Sequence, residues 1–491
     1  MLLGPPAQTS IEEMIDTDFV QRSPVLAGPI PARAPLPFFQ YIRTVRDNAI
    51  AGFHDDVFKQ RIVETRLWKL HTFIVNDPLG IKHVLVDNAA NYVKGDIEQR
   101  ILRTWPDKGF AGGDDKEWRL RRRTMSPSFD HRSVLGNSSA VLDAAQRLLT
   151  RWNALPRGTI IEASADMTRM ALEVITHVVF SSDSIDFVRI MERASGRYQR
   201  EKIFDLPDFV PMLDWLWGFY KHLKRRRIFK ELDESIDHLI AKRVGGGSHS
   251  VSDFLGHLIG GPQTGGNFSA QEVHSQVVTI LGAGHEAVAS TLTWVWYLLS
   301  QHPQEEARLH SELDGVLAGR TPALEDLAKL PYTRMVIAEA LRLYPPVHTM
   351  AWRGALGDDE ICGMSIPKGA TVSIIPWVLH RHSKMWDHPE RFDPERFSPD
   401  RSLGRSRFAY LPFGIGPRVC VGASFAVTEI MLILATLAQR YRLRLASGHK
   451  VEPQGLILLK ARYGLKATLE SRHQASTKPD CSQESSKEYE R

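Results

Sequence analysis

Cysteine is scarce in this chain. The three present, Cys362, Cys420 and Cys481, are too few and too odd in number for a disulfide framework, so a reducing compartment is expected. Long apolar runs are also lacking. No stretch of about 20 residues suits a membrane span, and Met1 to Val20 carries Glu12, Glu13, Asp16 and Asp18 where a secretory signal would be apolar. A soluble, cytoplasmic protein is expected, with membrane contact at most peripheral. There is no internal repeat and no long linker, so one large domain is expected where length alone suggests about three. Charge of one sign is not in excess either. Against 57 acidic residues stand 62 Lys and Arg, a net +5, which gives no reason to expect nucleic acid as a partner.

What is there is mostly helical pattern. Pro29-Ile30-Pro31 and Pro35-Leu36-Pro37 mark an extended entry through residue 40. The β-branched stretch from Ile62 to Val75 is expected to fold as a hairpin, and Asp77-Pro78 to open a helix through Val86. Helical periodicity dominates from Leu135 to Ile240, with breaks at Pro156-Arg157-Gly158, Pro207 and Pro211. Ser269-Ala270-Gln271-Glu272 is a capping box. It starts a helix expected to run to about Ser300, roughly 45 Å by helix rise. Val277–Leu281 and Leu292–Leu299 are apolar nearly all round, so this helix should be buried. Another helix is expected from Tyr332 to Leu343, before Pro345-Pro346. Short strands are expected within Glu360–Ile366, Thr371–Ile375 and Leu456–Leu459. The fold class is therefore mainly α with small β-sheets, a domain over 41–470 followed by a polar, disordered tail over 471–491.

One segment carries most of the chemistry: Phe413-Gly414-Ile415-Gly416-Pro417-Arg418-Val419-Cys420-Val421-Gly422. Its fixed residues at these offsets would arise by chance on the order of once in ten thousand chains of this length, taking average residue usage. The glycines allow close backbone approach and positive φ. A helix is expected just after Cys420, and its N-terminus stabilises a thiolate there. A lone cysteine in a tight turn is by default a structural residue; the company this one keeps displaces that reading. The segment resembles the proximal loop of the cytochrome P450 family, where the matching cysteine is the thiolate ligand of haem iron and promotes O–O cleavage. The resemblance spans about residues 60 to 470. It implies the cytochrome P450 fold, haem b, O2, and Phe413, Gly414, Arg418 and Gly422 beside the cofactor.

Other motifs match the family in order. Glu339-Ala340-Leu341-Arg342 is on its own an ordinary helix-surface ion pair. Followed by Phe392-Asp393-Pro394-Glu395-Arg396-Phe397, it implies a buried structural network of Glu339, Arg342 and Arg396 behind the haem. Haem carboxylates need cations, and arginine suits them. Arg122, four residues after Trp118, Arg353 after Trp352, and Arg418 take those positions by resemblance. Arg122 lies in a basic run that would otherwise be solvated. The same run, Arg119, Arg121 and Arg123, is expected to steer an acidic electron donor, extended by Arg401, Arg405 and Arg407. The chain has no flavin or iron–sulfur motif, so NAD(P)H-derived electrons are expected through a ferredoxin- or flavodoxin-type partner.

The oxygen-side motif departs from the family. Gly282-Ala283-Gly284-His285-Glu286-Ala287-Val288 keeps the acidic residue at Glu286, the expected proton relay, but has Ala287 where the family usually has threonine. Ala287 is a packing choice with water supplying protons, or a sign that substrate supplies them. His285 is expected to be structural. An apolar pocket is expected from Ala283, Val288, Val347, Met350, Trp352, Leu456 and Ile457. Phe209 to Phe219, with Trp215, Trp217 and the basic Lys221 and Lys224–Arg227, would form a lid, an interfacial helix or a plain core helix. The functional expectation is a haem-thiolate monooxygenase inserting one oxygen atom from O2 into an apolar small molecule. The alternatives are a peroxide-using or non-monooxygenase member, and a haem-based sensor without turnover.

Overall fold

The computed structural model describes residues 26–67, 70–95, 98, 115–181, 184–198, 214–245, 253–259 and 268–472. The expectations on Met1–Val20, Pro207, Phe209, Pro211, Cys481 and the tail beyond residue 472 lie outside these residues, and so does the side chain of Trp215. The α-helices, in chain order, are α1 Phe38–Asp47, α2 Pro78–Lys82, α3 Asp115–Met125, α4 His131–Asn153, α5 Ala163–Phe180, α6 Ile185–Tyr198 and α7 Asp214–Gly245. They continue with α8 Phe254–Ile259, α9 Ala270–Gln301, α10 Pro303–Leu317, α11 Pro331–Leu343, α12 Pro376–Leu379, α13 Pro399–Ser402 and α14 Ala423–Ala438.

The long helix α9 organises the rest. The hydroxyl of Ser269 accepts from the Glu272 amide at 3.3 Å, and the Glu272 carboxylate accepts from the Ser269 amide at 2.9 Å, so the expected capping box forms. It is buried from Ser275 to Leu281 and again from Val288 to Leu299, with Val277, Leu281, Leu292, Trp294 and Val295 fully enclosed. It lies so close to α5 that a methyl group on Gly284 would come within 2.7 Å of the Ile175 Cδ1 atom. Helix α14 contributes Met431 to Ala435 to the same core.

The sheets are small. β1 Ile62–Leu67 and β2 Leu70–Val75 form the expected hairpin, with Val63 opposite Ile74. They join β3 Tyr92–Lys94, β5 Ala351–Ala355 and β8 Thr371–Ile374 in a five-stranded sheet of order β1-β2-β8-β5-β3, in which β2 and β8 run parallel. β4 Ile160–Glu162, β12 Lys466–Ser471 and β9 Tyr441–Leu445 form a second sheet. β6 Asp359–Ile361 pairs with β7 Met364–Ile366, and β10 Pro453–Gly455 pairs with β11 Leu459–Ala461.

Several boundaries differ from expectation. Leu456 to Leu458 is the turn between β10 and β11, not a strand; the apolar run tops a hairpin instead of lying within it. The entry segment ends earlier than residue 40, because α1 begins at Phe38 directly after Pro37. The helix expected through Val86 is α-helical to Lys82 and widens into a π-turn over His83–Asp87. Ser471 closes β12, so regular structure reaches into the expected tail. No helix among the described residues is long and apolar enough to cross a membrane.

Candidate functional site

The cysteine loop is fixed before its thiol does anything. The Cys420 amide donates to the Phe413 carbonyl at 2.9 Å, closing the loop on itself. Gly414 and Gly416 adopt φ of 70° and 78°. A side chain on Gly416 would run into the Leu85 carbonyl at 2.1 Å, and one on Gly414 would press on the Met350 sulfur at 3.1 Å. Only glycine permits these approaches. Gly422 caps α14, whose first turn closes with the Ala426 amide on the Gly422 carbonyl at 2.8 Å.

Helix α3 braces this loop from one side. Arg122 donates to the Val419 carbonyl at 2.5 Å, and the Arg418 guanidinium lies 4.6 Å from the centre of the buried Trp118 ring. The Cys420 side chain is nonetheless exposed. The surrounding protein raises the thiol pKa by desolvation, while the Gly422 amide and the Arg122 charge pull it down. Arg353 is buried and pairs with Glu98 at 2.5 Å.

Behind the loop, Glu339, Arg342 and Arg396 meet in one buried cluster. Arg342 grips Glu339 with two bonds of 2.6 and 2.8 Å, and Arg396 reaches the same carboxylate at 3.3 Å. The remaining Arg342 donors go to the carbonyls of His380 and Pro389, both at 2.7 Å, and of Arg391 at 3.1 Å. Such a pair is costly to break singly, about 3–5 kcal/mol, because the orphaned charge stays buried.

The middle of α9 differs from its ends. Ala283 is exposed and Gly282, Glu286 and Ala287 are partly exposed, although the helix to either side is enclosed. Glu286 Oε1 accepts from Ser195 Oγ on α6 at 2.8 Å. His285 Nδ1 donates to the Leu281 carbonyl at 2.6 Å, which turns its Nε2 toward Ser195 at 3.4 Å. Leu456 and Ile457 line a cavity of about 390 Å3 together with Glu286, Ser290, Thr293 and Lys460. His348 Nε2 holds the Leu456 carbonyl at 2.7 Å, which ties that turn to the Val347–Met350 bend. Val347 is 39% exposed, and Met350 and Trp352 are half-buried.

Three expected residues are placed elsewhere. Val288 is 3% exposed and packs in the main core, because one residue beyond Ala287 the helix has turned by about 100°. Arg121 is 3% exposed and faces Glu272 at 3.8 Å, so it does not share the outer surface of Arg119 and Arg123. Arg405 is half-buried, stacked 4.6 Å from the Trp386 ring centre, while Arg401 and Arg407 stay exposed. Ser195, Lys460 and Glu98 were not singled out by sequence. None lies in a motif, and only the packing of α6, β11 and Glu98 brings them to the site.

These features fit a flat macrocycle that bears carboxylates. An exposed thiol sits on a rigid loop, small residues interrupt an otherwise buried helix, and guanidinium groups stand beside the thiol. The family model for Cytochrome P450 matches residues 29–466. Among relatives, the cyclooctat-9-en-7-ol 5-monooxygenase of Streptomyces melanosporofaciens is 33% identical over 402 residues, 79% of this chain and 83% of that protein. The pentalenene oxygenase of Streptomyces avermitilis is 31% identical over 82% of this chain and 87% of its own. The crystal structure of the cytochrome P450DA haem domain shares the fold, with a TM-score of 0.74 at 23% identity over 92% of this chain and 98% of that one. With the match running through both the long helix and the cysteine loop, this chain belongs to the cytochrome P450 family and is an oxidoreductase of the haem-thiolate monooxygenase class.

Proposed function

We propose that this protein inserts one oxygen atom from O2 into an apolar terpene, using haem b and NAD(P)H electrons delivered by a ferredoxin- or flavodoxin-type partner in the cytoplasm. The observation that carries this reading is the exposed thiol of Cys420 on a loop braced by Arg122. The terpene class is supported by the two oxygenase relatives, whose names specify cyclooctat-9-en-7-ol and pentalenene. Cys420 would ligate the iron, with Phe413, Gly414 and Gly422 shaping the loop. Trp118, Arg122, Arg353 and Arg418 would hold the carboxylates; Arg353 would exchange Glu98 for one of them. A thiolate-ligated haem supplies activation of O2 for attack on unactivated C–H bonds. Glu286 would hold and pass protons beside Ala287. Glu339, Arg342 and Arg396 would keep the loop's support rigid. Ala283, Ala287, Val347, Met350 and Trp352 would surround the substrate and exclude water, and Leu456 and Ile457 would close the pocket at the turn that also lines the cavity of about 390 Å3.

The test is spectroscopic. The reduced protein under CO should show the red-shifted Soret band of thiolate haem, Cys420→His should abolish it, and Cys362→Ser should retain it. Retention of the band in Cys420→Ser would remove the assignment. A binding screen of terpenes by the haem spectral shift then identifies the ligand class. Ala287 favours one second reading, in which peroxide replaces O2 and the electron donor. Turnover with peroxide but none with NADPH and generic redox partners would establish it.

A further inference from the structure

Glu286 belongs to two surroundings. Its Oε1 is held by the Ser195 hydroxyl from α6 at 2.8 Å. It also lines the cavity of about 390 Å3 with Ala289, Ser290 and Thr293. These positions recur at i, i+3, i+4 and i+7, which is one stripe of the helix. Ala283 and Ala287 form the neighbouring stripe. The cavity therefore flanks α9 beside the oxygen-side motif, and Glu286 stands at the boundary.

The opposite wall is the β10–β11 hairpin, with Lys460 on β11. Lys460 is half-buried. Burial lowers its pKa, and the charge of Glu286 opposes that shift, so the two groups sense one another. The cavity is lined in part by Glu162, Ser164, Thr168, Lys460 and Arg462, and Arg462 is exposed at its rim. A space this size with such a lining has room and partners for a chain of several waters.

We infer that this cavity is the proton inlet of the site and that Lys460 hands protons to Glu286. An N–H bond of the Lys460 ammonium breaks and its proton passes to a cavity water, which gives up one of its own protons to a Glu286 carboxylate oxygen. The neutral amine then takes a proton from cavity water, and a proton entering from bulk solvent past Arg462 neutralises the hydroxide left behind. No electron moves, and the net charge of the pair is unchanged in the transfer. Ser195 is a positioning residue that restrains the carboxylate through Oε1. The inference rests on the reading of Glu286 as a proton relay.

The experiment uses the haem-loaded full chain and a terpene hydrocarbon that the wild type oxidises. Product formed per NADPH, peroxide released and the solvent isotope effect are measured for Lys460→Ala, Lys460→Arg and Glu286→Gln. Arginine keeps the positive charge but does not give up a proton. Lys460→Ala and Lys460→Arg should both lose about tenfold in product formation. That is less than the 10²–10⁴ of a directly acting acid–base group, because water substitutes in part. Both should release more peroxide and show a larger solvent isotope effect, with haem content and ligand binding unchanged. Added ethylamine should restore Lys460→Ala and leave Lys460→Arg impaired. Wild-type coupling in Lys460→Ala, or full function in Lys460→Arg, overturns the inlet. Impairment that tracks haem loss and resists ethylamine also overturns it. If Glu286→Gln alone is impaired, the relay stands and the inlet falls; if Glu286→Gln is fully active, the relay itself falls.

Discussion

Ala287 follows Glu286 directly and lies on the partly exposed stripe of α9. Without a hydroxyl there, proton delivery in the proposed reaction would depend on Glu286, on water, or on a hydroxyl of the substrate. A substrate with a well-placed polar group should therefore couple NADPH use to product tightly, and a bare hydrocarbon poorly. Ala287→Thr should raise coupling for the bare hydrocarbon and do little or harm for a polar-anchored ligand. Product and peroxide counted against NADPH check this; identical coupling for every ligand in both proteins would sink it. Gly284, three residues earlier, makes a different kind of demand. Ala would gain up to about 1 kcal/mol in helix propensity. It would lose about 1–3 kcal/mol to overpacking against Ile175. The net expectation is a lower thermal midpoint for Gly284→Ala, with Ile175→Ala in the same chain losing less than the sum of the two single changes.

At the scale of the element, α3 shows why a run of like charges misleads. Trp118, Arg121 and Met125 recur at i, i+3 and i+7 and are 6%, 3% and 0% exposed, so they form its inner stripe. Arg119 and Arg123, one turn apart, form the outer one, and Arg122 points at the cysteine loop. Charge reversal should separate the three. Arg119→Glu or Arg123→Glu should slow reduction by an acidic ferredoxin, most at low salt, since exposed charges are screened within about 10 Å at 0.1 M. Arg121→Glu should instead lower thermal stability, because it sets a second carboxylate against Glu272 in a buried position. Stopped-flow reduction at two ionic strengths, with haem content as control, distinguishes these outcomes. Equal, salt-independent rates for Arg123→Glu would exclude the outer stripe as a docking face.

Across the whole molecule, buried titratable groups bound the pH range of stability. Glu429 on α14 is 4% exposed, and burial pushes its carboxyl from 4.5 up to about 8. The folded chain then holds a proton that the unfolded chain has released. Its contribution is complete below about pH 4.5 and is lost as pH rises toward 8. Glu429→Gln should flatten the fall of the thermal midpoint across that window; an unchanged slope would show that Glu429 is not its source. His380 works in the opposite direction. Burial lowers it to about 3, and its Nε2 accepts from the Leu411 amide at 2.9 Å, which a protonated ring does not allow. Its contribution is present above the ordinary value of 6.5 and is lost as pH falls toward 3.

Much of this was determined by the sequence alone, wherever the signal is local. A capping box, a helix apolar on all sides, a β-branched hairpin and a glycine-spaced cysteine loop each follow from neighbours in the chain, so α9, β1–β2 and the loop were legible. The order of the Glu339, Arg396 and Cys420 motifs identified the family. Tertiary structure decided what depends on groups far apart in sequence. It turned Val288 into the core, buried Arg121 while leaving Arg123 outside, and made Leu456–Leu458 a turn facing α9. It also brought Ser195 and Lys460, 91 and 174 positions from Glu286, to one carboxylate and its cavity. No periodicity or motif encodes such a meeting, because burial and hydrogen bonding depend on distance in space, and that distance is set only when helices and hairpins pack.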